Sequence, residues 1–258
     1  LLQLFQQFTG INLFIQFLGS MFGSQLGYPD RIALLLAGCC STWFFTTSII
    51  SVVGIDRYFS RRVLTMVGAG GMCACMMVLC GMSYLSTQTS HHVMAAFLFV
   101  YVFFFAFSWQ GLSYLWAIEL LPLSIRGPAN AISTAVNWLA NFCVVITCPP
   151  MFTNIKYQTY AVYAVINFVI IPSIYFFYPE TGSRTLEEID LLFETATSRG
   201  NPWFSVVQVA REEPRWFDAE GEKTESYSSN GNSTEPWSGD EKPTRPAGPL
   251  RSGNSDDM

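Results

Sequence analysis

The stretch QLFQQFTGINLFIQF, residues 3–17, carries Gln3, Gln6, Gln7, Thr9, Asn12 and Gln16 inside an otherwise apolar run. A carboxamide donates and accepts hydrogen bonds at the same time, so a group of them suits a neutral ligand rich in hydroxyls. Further along, SWQGLSYLWAIE sets Trp109, Gln110, Tyr114 and Trp116 ahead of Glu119, and NWLANF sets Asn137, Trp138 and Asn141 together. Aromatic faces pack against the C–H side of a polyhydroxylated ring. The plainer alternative is that the amides only bond neighbouring helices, for about 0.6–2 kcal/mol each. Several amides beside Gly10 point to a cavity instead. For tryptophan the plainer role is an interfacial anchor, which is the reading for Trp43 and Trp203.

Where these side chains sit depends on the solvent around them. Half of the 258 residues are hydrophobic and only 13% are charged, and the mean hydropathy of +0.30 includes a polar carboxy-terminal stretch. A helix needs about 20 apolar residues to cross about 30 Å of hydrocarbon. Six runs meet that length, near 4–26, 32–55, 63–85, 93–118, 128–149 and 158–178, with connections too short for a further domain. The expected fold class is therefore an all-α membrane protein. On a helix turning about 100° per residue, Leu4, Phe8, Ile11, Ile15 and Leu18 form a stripe suited to lipid. Gln3, Gln6, Gln7 and Gly10 gather on one side of the remaining surface, and Thr9, Asn12 and Gln16 on another. An unpaired amide in hydrocarbon is costly, so both groups are expected to face protein or a water-filled cavity. Thr9-Gly10 is a place where the helix can loosen.

The connection IDRYFSRR carries Arg57, Arg61 and Arg62, and ELLPLSIRG carries Arg126, whereas GYPDR, STQTSHH and TNIKYQ hold fewer positive charges. The arginine-rich side is then cytoplasmic, and six spans place both chain ends there. After about residue 194, Ser, Gly, Pro, Glu and Asp dominate, so 195–258 is expected to be a disordered acidic tail. A short helix near 184–194 precedes it along the inner surface, with Glu187, Glu188 and Asp190 in solvent. The seven cysteines lie inside expected spans and read as packing residues. His91 and His92 have no carboxylate or cysteine nearby in sequence. No nucleophile elbow, phosphate loop or midspan acid is present, so no enzyme activity, metal, cofactor or nucleic-acid partner is expected. The chain opens with Leu1 rather than Met, which raises the expectation of a truncated start.

In this order the motifs resemble the sugar porter family of the major facilitator superfamily, specifically its carboxy-terminal half, helices seven to twelve. QQFTGIN is similar to the seventh-helix motif, and DRYFSRRVLTMVGAGGM to the loop between the eighth and ninth helices. AIELLPLSIRGPANAISTAVNW resembles the tenth helix, its end and the eleventh, and PETGSRTLEEID the signature after the twelfth. The resemblance covers about residues 3–194 and is nearest to fungal sugar or polyol transporters. There are departures. Gln16-Phe17 replaces an aromatic pair, Phe59-Ser60 a single Gly, and Gly182-Ser183 a Lys-Gly. Gly111-Leu112-Ser113-Tyr114 stands where the family has Gly-Pro-x-x-Trp, which puts the bending of that helix in question.

The resemblance implies a six-helix bundle over 1–194 in which Gln6, Gln7 and Asn12 contact sugar, and the residue types read above add Tyr114, Asn137, Trp138 and Asn141 to the expected site. It also implies a cytoplasmic network of Asp56, Arg61, Arg62, Glu119, Arg126, Glu180, Arg184 and Glu187 that latches the inner face, arginine forks matching carboxylates in pairs of bonds. Function would be alternating access, a hexose or related pentose or polyol binding between two six-helix halves that rock about it. Proton symport in the plasma membrane is implied for the full-length parent. The expected partners are the sugar or polyol, the lipid bilayer and a missing amino-terminal six-helix half, and this chain alone is expected not to transport. A nutrient sensor with a signalling tail is the competing class.

Overall fold

The structure, a computed structural model, describes residues 1–58, 60–85, 87–121, 125–182, 184–198, 202–212 and 216. All regular elements among the described residues are helical. They are α1 (Leu2–Phe8), α2 (Ile11–Ser20) followed by a π turn (Met21–Gln25), α3 (Asp30–Tyr58), α4 (Arg61–Leu85), α5 (Gln88–Ser108) and α6 (Leu112–Glu119). Then come α7 (Arg126–Asn154), α8 (Gln158–Phe177), α9 (Leu186–Ser198) and α10 (Pro202–Glu212). These helices fall in one compact unit, Leu1–Pro214.

Among the described residues, five segments are long and apolar enough to cross a membrane: Asp30–Val52, Arg61–Leu85, Gln88–Glu119, Arg126–Asn154 and Gln158–Phe177. The first expected span takes another form, because residues 2–25 are interrupted at Thr9 and Gly10. Gly10 has φ 95°, a left-handed conformation that only glycine enters without strain. A Cβ there would stand 2.8 Å from the Tyr163 ring and 3.0 Å from Met76 Cε. Carbonyls released by the break find partners. Thr9 O accepts the hydroxyl of Tyr101 and Nδ2 of Asn167, each at 2.9 Å, and Gln6 O accepts the Thr9 hydroxyl at 2.7 Å. Because α2 does not continue the face of α1, the single lipid-facing stripe is not formed: Ile11 and Leu18 are buried while Ile15 is exposed.

A second break divides α5 from α6 without any proline. The N–H of Gln110 reaches back five residues to Phe105 O at 3.1 Å, a widened turn that ends α5. Against α5 and α8 packs α4, whose Met72, Met76 and Leu79 are fully buried. Gly68 permits the approach of α5, since a Cβ there would overlap Ser108. Small residues of this kind let membrane helices come close. Outward faces are apolar, with Leu34, Phe45 and Ile49 on α3, Leu139, Phe142 and Ile146 on α7, and Val165, Phe168 and Phe176 on α8 all exposed. The histidines join loop to helix: His91 Nδ1 lies 2.9 Å from Leu26 O, and His92 Nδ1 lies 2.6 Å from the Tyr28 hydroxyl. All seven cysteines are free, four of them buried.

Beyond α8 the structure is more regular than composition suggests. The short helix expected near 184–194 is α9 and runs on to Ser198, and α10 occupies residues assigned above to the tail. Val206, Val207 and Val209 of α10 are buried against Leu192 and Ala196 of α9. That apolar pattern is hidden by the polar residues averaged with it. Residues 217–258, the rest of the expected tail, lie outside the described residues, as do the side chains of Asp56, Arg57 and Glu187.

Candidate functional site

The break at Gly10 places α1 and α2 against the middle of α7, and there the amides converge. Asn137, 1% exposed, is the hub. Its Nδ2 donates to Gln3 Oε1 at 2.6 Å and Gln6 Oε1 at 3.1 Å, and its Oδ1 accepts Gln7 Nε2 at 3.0 Å and the Tyr114 hydroxyl at 3.3 Å. One helical turn further, Asn141 Nδ2 donates to Asn12 Oδ1 at 3.1 Å and Gln7 Oε1 at 3.3 Å, and Asn12 Nδ2 donates to Gln7 Oε1 at 2.5 Å. Backbone carbonyls at the second break take part as well: Gln3 Nε2 reaches Ser113 O at 3.4 Å and Gln6 Nε2 reaches Gln110 O at 3.5 Å.

Six of the seven residues expected to hold a ligand are thus joined in one hydrogen-bonded group: Gln6, Gln7, Asn12, Tyr114, Asn137 and Asn141. The two polar patches read on an ideal helix merge at Asn12 and Gln7, while Gln16 is exposed and Thr9 bonds elsewhere. Trp138 does not join, being 65% exposed. Trp109 and Trp116 are fully buried, the first donating Nε1 to Thr65 O at 3.2 Å and the second packed on the Tyr178 ring at 5.3 Å. They serve the core rather than the amide group.

A different chemistry gathers where α4 starts and α8 stops. Arg61 bonds Glu119 Oε1 through Nε at 3.1 Å and Nη2 at 2.8 Å, and the Thr181 hydroxyl donates to Glu119 Oε2 at 2.7 Å. Glu180 caps α4: Oε1 accepts the N–H of Arg61 and Oε2 the N–H of Arg62, both at 3.1 Å, with the Ser60 hydroxyl also on Oε2. A carboxylate at a helix start satisfies N–H groups that lack intrahelical partners and meets the positive end of the helix dipole. Burial pushes the neighbouring Tyr178 phenol up to about 12, so it is neutral.

Of the expected charged network, Arg61, Glu119 and Glu180 come together, and Arg62 joins only through its backbone N–H, its guanidinium turning to Tyr175. Arg126 instead donates Nη2 to Leu121 O at 3.1 Å, closing its own connection. Arg184 pairs with Glu188 at 2.7 Å, both side chains 4% exposed, and donates Nη2 to Ala210 O at 2.8 Å.

The profile of the sugar (and other) transporter family matches residues 1–193. The chain belongs to that family. The Saccharomyces cerevisiae sugar transporter STL1 is 33% identical over 202 residues, which cover 78% of this chain and 35% of that protein. The Escherichia coli D-xylose-proton symporter is 32% identical over 206 residues, 77% of this chain and 41% of that one. Among solved structures, the proton:xylose symporter XylE bound to 6-bromo-6-deoxy-D-glucose superposes with a TM-score of 0.66 at 31% identity, covering 74% of this chain and 41% of the other. Inward-open XylE from E. coli superposes with a TM-score of 0.62 at the same identity, covering 74% and 40%. The chain therefore spans 35–41% of the length of these curated relatives, which are transporters rather than enzymes.

Within this chain, four polar partners lie outside the residues expected to form the sugar site and the charged network. Gln3, placed beside Gln6 and Gln7 by helix spacing but left out of the expected sugar site, belongs to the amide group. Ser60 and Thr181 join the charged cluster, each adjacent to a residue already singled out. Glu188 was assigned to solvent yet forms the buried pair with Arg184, four residues earlier.

Proposed function

We propose that this chain is the carboxy-terminal six-helix half of a sugar transporter, with Gln6, Gln7, Asn12, Tyr114, Asn137 and Asn141 forming its side of a site for a hexose, pentose or polyol. The observation that carries this reading is Asn137 at the junction of two broken helices, bonded to three glutamines and a tyrosine. Sugar hydroxyls can replace these amide–amide bonds one for one. Such an exchange nets only about 1 kcal/mol per bond, which gives the weak, reversible binding that a carrier requires. The order of the four motifs supports the carboxy-terminal assignment. Xylose and protons, named for the E. coli relative, are the reference substrates for the full-length parent.

In this reading the charged cluster lies on the cytoplasmic side, with both chain ends, and latches the inner face in alternating access at the plasma membrane. An amino-terminal six-helix half supplies the other wall of the site, and the exposed apolar faces of α3, α7 and α8 meet lipid or that half. The bundle extends through α10, with the tail following it. Alone, the chain does not transport. Uptake of labelled hexoses, pentoses and polyols by a twelve-helix protein carrying this half tests the reading, with Gln7→Ala and Asn137→Ala beside the unaltered protein. Lowered affinity at normal surface expression is expected, and unchanged uptake in both variants would reduce the amides to helix contacts. Net uptake by the isolated chain in transporter-null cells would overturn the requirement for a second half.

A further inference from the structure

One cationic group has no part in the sugar site or in the carboxylate cluster. On the outward face of α8, Tyr175 is 45% exposed, at the end of an apolar stripe that includes Val165, Phe168 and Phe176. The guanidinium carbon of Arg62 stands 4.7 Å from the centre of its ring, and that of Arg211 stands 5.8 Å away. Arg211 Nη2 also lies 3.5 Å from the Tyr175 hydroxyl. The two guanidiniums repel one another. The carboxylate nearest in effect to Arg62 is Glu180, whose oxygens are taken up by Ser60 and the N–H groups of Arg61, Arg62 and Gly182. Arg62 Nη2 donates to Tyr175 O while its Nε is buried without a partner, and among the described residues no carboxylate pairs with Arg211.

An aromatic face attracts a cation but cancels no charge, so two positive charges remain at the boundary between apolar surface and helix end. A phosphate group answers both requirements, accepting a planar donor pair from the exposed Arg211 guanidinium and lying beside the positive charge of Arg62. The apolar stripe below suits acyl chains, and the tyrosine sits where aromatic residues mark a membrane interface. We propose that Arg62, Arg211 and Tyr175 form a site for the phosphate group of an anionic phospholipid, whose chains lie along the exposed face of α8. Occupancy fastens α10 to α8, because Arg211 is carried by α10. The inference rests on α8 being a span and is independent of which sugar is carried.

The test is native mass spectrometry of the full chain, released from nanodiscs holding equal amounts of phosphatidylglycerol and phosphatidylcholine. Phosphatidylglycerol is expected to be retained at least about fivefold over the zwitterionic lipid, the order of one basic side chain at a membrane surface. Arg211→Gln should remove most of that preference, and Arg31→Gln, an exposed charge at the opposite end of α3, should leave it. Equal retention of both lipids, or equal loss in both variants, would overturn the site. Thermal melting in millimolar inorganic phosphate separates the sources. An Arg211-dependent rise without preferential lipid retention assigns the group to a soluble phosphate and rejects the lipid. Salt supplies a check free of any variant: the preference should fall as ionic strength rises, and a salt-independent preference rejects the charge pairing.

Discussion

The amide group at the broken helices and the charged cluster at the helix ends are both polar islands in an apolar bundle, yet they are wired differently. In the first, neutral groups meet, and Asn137 donates with one end of its amide and accepts with the other. In the second, direction is fixed, since Arg61, Ser60, Thr181 and backbone N–H groups all donate to Glu119 or Glu180. Neutral pairs can be exchanged for hydroxyls at little net change, whereas bonds to ionised groups are about twice as strong. The first arrangement suits a ligand that must leave, and the second suits holding one arrangement of helices. Under the proposed function, the contrast assigns binding to the neutral groups and latching to the charged ones.

The largest effect is expected at the backbone break that creates the first region. Gly10→Val would set a branched side chain at φ 95°, with its Cβ 2.8 Å from Tyr163. Left-handed strain of about 1–3 kcal/mol adds to overpacking of about 1–3 kcal/mol. Loss of folded, monodisperse protein in detergent is expected, read by thermal melting. A Val variant that melts normally would show that the site does not depend on the break.

Asn137→Ala follows in size, because it strands Gln7 Nε2, the Tyr114 hydroxyl and the side-chain carbonyls of Gln3 and Gln6 together. A stranded buried polar group costs about 1–3 kcal/mol. Sugar affinity should therefore drop about tenfold to a hundredfold in uptake by the twelve-helix protein. Glu180→Gln probes the other region and should act differently. It weakens the cap on α4, by about 1 kcal/mol, so the amides of Arg61 and Arg62 should exchange hydrogen about fivefold faster while sugar affinity holds. Were Glu180→Gln to lower affinity as much as Asn137→Ala, the division between binding and latching would collapse.

Much of this was legible in the sequence, for physical reasons that also explain the failures. Apolar length against bilayer thickness located the long helices, and Gly10 among amides marked the break. Gln6, Gln7, Asn12, Asn137 and Asn141 do meet, because an amide in apolar surroundings must find a partner. Arg126 and Arg184 bond the carbonyls of Leu121 and Ala210, because long side chains choose among local acceptors that a linear sequence does not rank. The helix α10 was missed because Val206, Val207 and Val209 matter by position, while composition averages them with the polar residues around them.

The smallest effect is expected at Trp138, and it gives the sharpest test of how the binding region is bounded. Trp138 follows Asn137 directly, yet one is 65% exposed and the other 1%. Successive residues on a helix diverge by about 100°, so adjacency in the chain sends the indole away from the amides that Asn137 joins. The aromatic group that does reach the cluster is Tyr114, through its hydroxyl. Trp138→Ala should thus leave sugar affinity within about twofold, the range of an exposed substitution of ±0.5 kcal/mol. Should affinity fall as far as in Asn137→Ala, the exposed face of α7 would itself be ligand surface, and the amide group described here would be one wall of a wider site that closes only against the facing half.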